Sequence, residues 1–240
     1  YAFPNTNIES ITIPSSVKEI GWYAFYGCKN LKEVILNEGL ERIGYDAFWN
    51  THIESITIPS SVKEIEECAF HFSNISSILI NSNNKNFEIK DNFFIDKNNK
   101  KILAYLDKKT TKVTIPDSVK EIGESAFYGC KNLKEVILNE GLEKIGAEAF
   151  WDAGIKSITI PGSVKEIGES AFSNCENLKE VILNEGLEKI GAETFYDTKI
   201  ESITIPGSVK EIGERAFCNC ENLKEVILNE GLEKIGDEAF

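Results

Sequence analysis

LKEVILNEGLEKIGAEAF, Leu133 to Phe150, is followed four residues later by IKSITIPGSVKEIGESAF, Ile155 to Phe172, and the likeness of the two decides the fold. Counted from the first apolar residue of each, positions 1, 4, 6, 10, 13 and 18 are apolar in both. They are Leu133, Val136, Leu138, Leu142, Ile145 and Phe150, then Ile155, Ile158, Ile160, Val164, Ile167 and Phe172. Positions 4 and 6 share a face at the two-residue period of a strand, which turns positions 3 and 5 to the opposite side. Gly, Ser or Pro follows at once, in ILNEG and TIPGS, so each strand ends after about five residues. A second bend is expected at the Gly of KIG or EIG, with one short helical turn around ESAF.

The same pattern runs along the whole chain. Taking the Phe at position 18 as marker, it recurs at Phe3, Phe25, Phe48, Phe70, Phe94, Phe127, Phe150, Phe172, Phe195, Phe217 and Phe240, and the two unit types alternate in a 45-residue cycle. KNLKEVILNEGL stands at Lys29–Leu40 and Lys131–Leu142, and ENLKEVILNEGL at Glu176–Leu187 and Glu221–Leu232. An active site is needed once, so repetition of this kind speaks of architecture. A coil this short cannot bury its own apolar stripe, but stacked on copies of itself it forms a parallel solenoid with a continuous core. One turn departs from the rule: the step from Phe70 to Phe127 is longer than one full cycle of two units, by about half a unit. There NFFIDKNNKKILAYL reads as two short strands around Lys97–Lys100, a β-hairpin inserted in an atypical repeat at residues 83–111.

The run L-x-x-V-x-L, as in Leu31, Val34 and Leu36, resembles the strand of leucine-rich repeats, and the appended I-G-x-x-A-F is similar to the BspA-like class of bacterial and protist surface proteins. The resemblance implies a right-handed β/α superhelix with one curved parallel sheet of short strands and 22–23-residue coils. It also implies an extracellular or cell-surface location. Where most leucine-rich repeats carry an Asn or Cys ladder at position 9, this chain has Gly39, Gly141, Gly186 and Gly231 alternating with Ser16, Ser61, Ser118, Ser163 and Ser208, so its turn needs another means of support. Residues 1–240 are expected to form a single repeat domain. Because Met is absent and the chain opens on YAF and stops at EAF, the same point of the repeat, it is expected to be a fragment of a longer protein, uncapped at both ends.

With 42% hydrophobic and 27% charged residues the chain has material for a sizeable core. Its formal charge of −13 and pI near 4.8 weigh against nucleic acid and anionic membrane surfaces as partners. No apolar run approaches the roughly 18 residues of a spanning helix, so no membrane insertion is expected in this segment.

Chemistry is sparse. Cys28, Cys130, Cys175 and Cys220 stand three residues after a marker Phe, where other units have Thr51, Ser73, Ala153 and Thr198. All are small, so the position points inward and the thiols are expected to be buried and unbridged. Cys68 stands apart, Cys218 is separated from Cys220 by one residue, and none has C-x-x-C spacing. His52 and His71 are the only histidines, too few for a site built on imidazole. Glu135, Glu180 and Glu225 share the outward position 3 as a solvated ladder. With no single polar cluster outside the repeat, no catalytic residue, cofactor or metal is assigned, and the chain is read as not an enzyme.

Two surfaces remain. Position 5 alternates Thr with an aliphatic residue, Thr12, Ile35, Thr57, Leu79, then Thr114, Ile137, Thr159, Ile182, Thr204 and Ile227, more apolar surface than a sheet facing only water requires. The position after the marker Phe carries Tyr26, Trp49, His71, Tyr128, Trp151 and Tyr196, an aromatic row on which a protein or sugar could stack. The expectation is a non-enzymatic protein-interaction or adhesion scaffold that binds a protein ligand, such as a host or matrix protein, through the sheet with its Glu135, Glu180 and Glu225. A structural spacer and a glycan-binding solenoid using the aromatic row are the rival readings. The lysines of the hairpin unit, Lys85, Lys90, Lys97, Lys100, Lys101, Lys108 and Lys109, make it locally basic.

Overall fold

The computed structural model describes residues 2–71, 73 and 75–240, in two compact units: residues 1–98 with 103–107, and residues 99–102 with 108–240. Each is a parallel β-solenoid in which one repeat of the sequence makes one coil. In the first unit the long strands Ser10–Ile13 and Glu33–Leu36 pair in parallel, as do Ser55–Ile58 and Ser77–Ile80. In the second, Lys112–Thr114, Glu135–Ile137, Ser157–Ile160 and Glu180–Leu183 follow one another across a sheet, and Ser202–Ile205 pairs with Glu225–Leu228. Register is set by the two-residue alternation: Ile158 and Ile160 are buried while Ser157 and Thr159 are exposed, and a slip of one residue would turn Ile158 and Ile160 out to solvent.

A second ladder, not foreseen in the sequence, runs along the bend before KIG and EIG. In the second unit Lys101–Ile102, Glu121–Ile122, Lys144–Ile145, Glu166–Ile167, Lys189–Ile190, Glu211–Ile212 and Lys234–Ile235 pair in parallel in that order. In the first unit Glu19–Ile20, Arg42–Ile43 and Glu64–Ile65 do the same. Each Ile of this ladder is buried except Ile235 in the last coil, which is 49% exposed. Outside it, Lys and Glu alternate from coil to coil, so opposite charges meet across neighbouring strands, as Lys234 does with Glu211 at 2.7 Å and Arg42 with Glu19 at 3.1 Å.

The expected helical turn at ESAF is not a helix, and among the described residues no helix forms, so the β/α superhelix is β and turn only. The backbone alternates instead. Two residues before the marker Phe, and again two after it, φ is positive: Ser125, Glu148, Ser170 and Glu193 before, Gly129, Asp152, Asn174 and Asp197 after. The N–H groups of these residues and of the Phe itself turn to the next coil: Glu148 donates to Glu169 O at 2.8 Å, Phe150 to Ala171 O at 2.8 Å and Asp152 to Ser173 O at 3.0 Å. The N–H groups between them close turns within the coil, as Ser173 does on Ser170 O at 3.0 Å. A helix would direct all of them along one coil. The trailing left-handed residue is always Gly, Asn or Asp, the types that tolerate this conformation best.

Stacked rings fill the space this ladder encloses. Phe127, Phe150, Phe172, Phe195, Phe217 and Phe240 lie 4.8–5.4 Å apart from ring to ring and within 20° of parallel. Phe3, Phe25, Phe48 and Phe70 repeat the stack at 5.2–5.6 Å in the first unit. Each coil is covered by the next: Leu183 is buried at position 6, whereas Leu228, in the last coil of the sequence, is 44% exposed.

At Gly186 and Gly39 the turn at position 9 is supported by a Ser hydroxyl of the next coil, whereas at Gly141 the N–H donates to Asn139 Oδ1 at 2.8 Å. Gly186 N–H donates to Ser208 Oγ at 2.8 Å, and that hydroxyl donates to Leu187 O at 2.7 Å. Gly39, Ser61 and Leu40 repeat the arrangement at 2.9 and 2.7 Å. Glycine is required at Gly186, with φ 116° and only 2.0 Å between the place of a Cβ and Gly162 O. Glu38 accepts from Ser60 N–H, Ser60 Oγ–H and Ser61 N–H, and these bonds, the Ser60 N–H foremost, hold its carboxyl below the usual carboxylate range.

The irregular repeat carries strands on both sides of Lys97–Lys100, Phe93–Asp96 and Lys101–Tyr105, and one more ahead of them, Phe87–Lys90. This extra strand pairs antiparallel with Phe93–Asp96 through a turn at Asp91 and Asn92, both with positive φ as a tight hairpin demands. Tyr105 packs its ring 5.0 Å from Phe93, and Leu106 N–H donates to Asn92 O. No helix among the described residues is long and apolar enough to cross a membrane.

Phe172 has a ring on each side, so Phe172→Ala is expected to cost about 3–5 kcal/mol, while Ile182→Ser on the exposed face changes stability by no more than about 0.5 kcal/mol. Urea unfolding of the two variants beside the parent chain checks this; equal losses would show that the ring stack is not the main support.

Candidate functional site

Every Thr and Ile expected on the open face is there. Thr12 pairs with Ile35 and Thr57 with Leu79 in the first unit, and Thr114 with Ile137, Thr159 with Ile182 and Thr204 with Ile227 in the second, all outward and exposed. Ile35, Ile137, Ile182 and Ile227 remain 42–46% exposed, so each offers a flat apolar patch held by its strand. Beside them lie Glu135, Glu180 and Glu225, also exposed, with a Lys or Ser on the paired strand. Lys112 Nζ reaches Glu135 at 2.7 Å, while Ser157 separates Glu135 from Glu180. The carboxylates thus form a spaced row and not a convergent pair.

The aromatic row is half-buried, and its members face one another. Tyr26 stacks on Trp49 at 4.3 Å and Tyr128 on Trp151 at 4.7 Å, both within 8° of parallel, and each contact occupies one face of both rings. Tyr196 accepts a hydrogen bond from Asn219 Nδ2 at 2.7 Å. Burial first, then Glu148 and Asp152, push the Tyr128 phenol up to about 12.

Inside the coils the thiols act as donors. Cys175 Sγ–H donates to Phe150 O at 3.1 Å and Cys220 Sγ–H to Phe195 O at 3.2 Å, the same carbonyl that Thr198 Oγ–H reaches at 2.9 Å. No disulfide joins any of the six cysteines. Among the hairpin lysines, Lys101 pairs with Glu121 at 3.0 Å and Lys108 Nζ donates to Tyr128 O at 2.7 Å.

One grouping was not foreseen. Cys68 and His71 lie next to each other, with Asp46 of the preceding coil beside them, all three donor atoms within 4.8 Å of one another. The signal in the sequence is the spacing Cys68-x-x-His71, which differs from the C-x-x-C of common zinc and redox motifs.

The sequence profile of the BspA type leucine rich repeat region matches in six copies, over residues 1–105, 100–206 and 188–240. This chain belongs to that family. No curated protein matches it. Among solved structures, a leucine rich cell surface protein of Faecalibacterium prausnitzii A2-165 is 27% identical with a TM-score of 0.82, covering 92% of this chain and 60% of its own. The pneumococcal vaccine antigen PcpA is 28% identical with a TM-score of 0.81, covering 95% and 57%. A leucine-rich repeat protein of Eubacterium ventriosum ATCC 27560, 24% identical with a TM-score of 0.77 over 98% of this chain and 76% of its own, shares the fold. This BspA-type chain spans about 60% of the length of the first two.

Burial pushes the Cys175 thiol from an ordinary 9.0 up to about 12. The folded chain keeps this proton where the unfolded chain releases it, so the stability linked to it is complete below the unfolded thiol range and is lost as pH rises from there toward about 12. Cys175→Ala, a residue already used at the equivalent Ala153, is expected to flatten the fall of the urea midpoint between about pH 8 and pH 10. An unchanged slope would remove Cys175 as its source.

Proposed function

We propose that this BspA-type chain is a non-enzymatic protein-binding scaffold displayed at a cell surface, and that it engages its partner through the open face of the long strands. The observation that carries the reading is the exposed row of Ile137, Ile182 and Ile227 in the second unit, each paired in register with a Thr, as Ile35 is in the first. Solvent alone would favour polar residues at these positions, whereas a protein surface would bury the aliphatic patches and hydrogen-bond the Thr, Ser and Glu around them. The scaffold is already ordered by its ladders, so binding loses little chain entropy. A surface location is supported by the description of the F. prausnitzii relative as a cell surface protein and of PcpA as a vaccine antigen. A host or matrix protein is the partner class proposed, with a glycan as the second class. Residues 1–240 are proposed to act as one binding domain.

The test is capture from cell-surface and extracellular-matrix extracts by the purified chain, beside a variant carrying Ile137→Ser, Ile182→Ser and Ile227→Ser and another carrying Trp49→Ala and Trp151→Ala. The expected outcome is a partner whose affinity falls by at least about tenfold, or ~1.4 kcal/mol, in the Ile variant alone. Loss in the Trp variant alone would move the site to the aromatic flank. Capture by none of the three folded proteins would favour the spacer.

A further inference from the structure

We propose that Asp46, Cys68 and His71 form a binding site for a divalent cation of the zinc type, with one coordination position left to water or an incoming donor. The repeat itself creates the place. In the regular coils the residue two before the marker Phe and the residue one after it are joined by a tight turn, as Ser125 is with Tyr128 and Ser170 with Ser173, so the two side chains start from one bend. Tyr23 and Tyr26 show the pairing as an edge contact at 5.7 Å. Cys68 and His71 occupy these two positions in their own coil, and His71 N–H closes the turn on Cys68 O at 2.9 Å. Asp46 is the counterpart of Cys68 one coil earlier, and both residues hold the same left-handed backbone, with φ of 52° and 57°. The stacking of coils therefore sets the carboxylate against the thiol and imidazole.

In other coils these two positions carry Ser125 and Tyr128, Ser170 and Ser173, or Glu193 and Tyr196. Only here do a thiol and an imidazole fill them, above a carboxylate, and this is the one such grouping of three donors among the described residues. Asp46 and Cys68 are 9% and 8% exposed, with His71 half-buried at the rim. A bound cation would offset the cost of burying the Asp46 and Cys68 donor groups, and His71 would close the site from the rim. One sulfur, one nitrogen and one oxygen donor suit zinc better than calcium or magnesium, which take oxygen donors. Zinc bonds of about 2.0–2.3 Å hold tetrahedral donors roughly 3.3–3.8 Å apart, so a set within 4.8 Å needs only a small contraction of the side chains. Three protein ligands leave the fourth position open, as in sites where zinc binds water or a further ligand.

The experiment is titration of the chelator-stripped chain with cobalt(II), read by the cobalt–thiolate charge-transfer absorption, followed by displacement with zinc. The expected result is saturation at one equivalent. Cys68→Ser should abolish the band, and His71→Ala and Asp46→Asn should weaken zinc binding by more than the roughly 10- to 100-fold that loss of an outer-sphere partner costs. Cys218→Ser should leave it unchanged. Absence of the band in the parent chain, or its survival in Cys68→Ser, would overturn the proposal. Alkylation mapped by mass spectrometry supplies a reading on the unmutated chain: zinc should slow modification of Cys68 and leave Cys218 at its own rate, and equal rates with and without zinc would likewise overturn it.

Discussion

Neighbouring coils meet through stacked Phe rings, and the positions of the other side chains follow from that contact. With Phe150 5.2 Å from Phe172 and Phe172 5.4 Å from Phe195, the coils are held near the spacing at which parallel strands exchange backbone hydrogen bonds. Three hydrogen-bonded tracks use that spacing: the long strands, the two-residue strands at position 13, and the alternating bonds on either side of the Phe. No coil is stable by itself. The contrast between buried Leu183 and exposed Leu228 shows that what covers an apolar row is the next coil.

The apolar positions were legible because burial follows a period that a run of letters displays. Leu133, Val136, Leu142, Ile145 and Phe150 could each be assigned inward from spacing, and all are buried. The trailing left-handed position was also written in the sequence, since Gly129, Asp152 and Asn174 are residue types that accept positive φ. Its leading counterpart was not, because Ser125, Glu148 and Arg215 have no such preference and are held there by hydrogen bonds to the next coil. Those letters are equally compatible with a helical turn. The second ladder escaped because Lys144–Ile145 is too short to show an alternation.

The same limit applies to function. The exposed Thr and Ile of position 5 were legible through the strand period, whereas the meeting of Asp46 with Cys68 and His71 depends on which residue lies above which, one coil away. A repeat protein sets two kinds of neighbour beside each side chain, one adjacent along the chain and one a full repeat distant. Chemistry assembled from the second kind becomes visible only when coils are aligned on their Phe. Departures from the consensus are then the informative letters, since the consensus is already explained by stacking.

The alternation of two coil types has a consequence for recognition. On the long strands of the second unit, Ile137, Ile182 and Ile227 recur every second coil, about 10 Å apart at strand spacing, with near-identical surroundings. A ligand shorter than that whole row would find the same contacts after a shift of two coils and mismatched ones after a shift of one. Such a surface behaves as a ruled scale with several equivalent zero points. Occupancy among two or three of them adds a statistical gain of only ~0.4–0.7 kcal/mol, yet it makes binding tolerant of damage, because a ligand that loses one Ile can move along to the next.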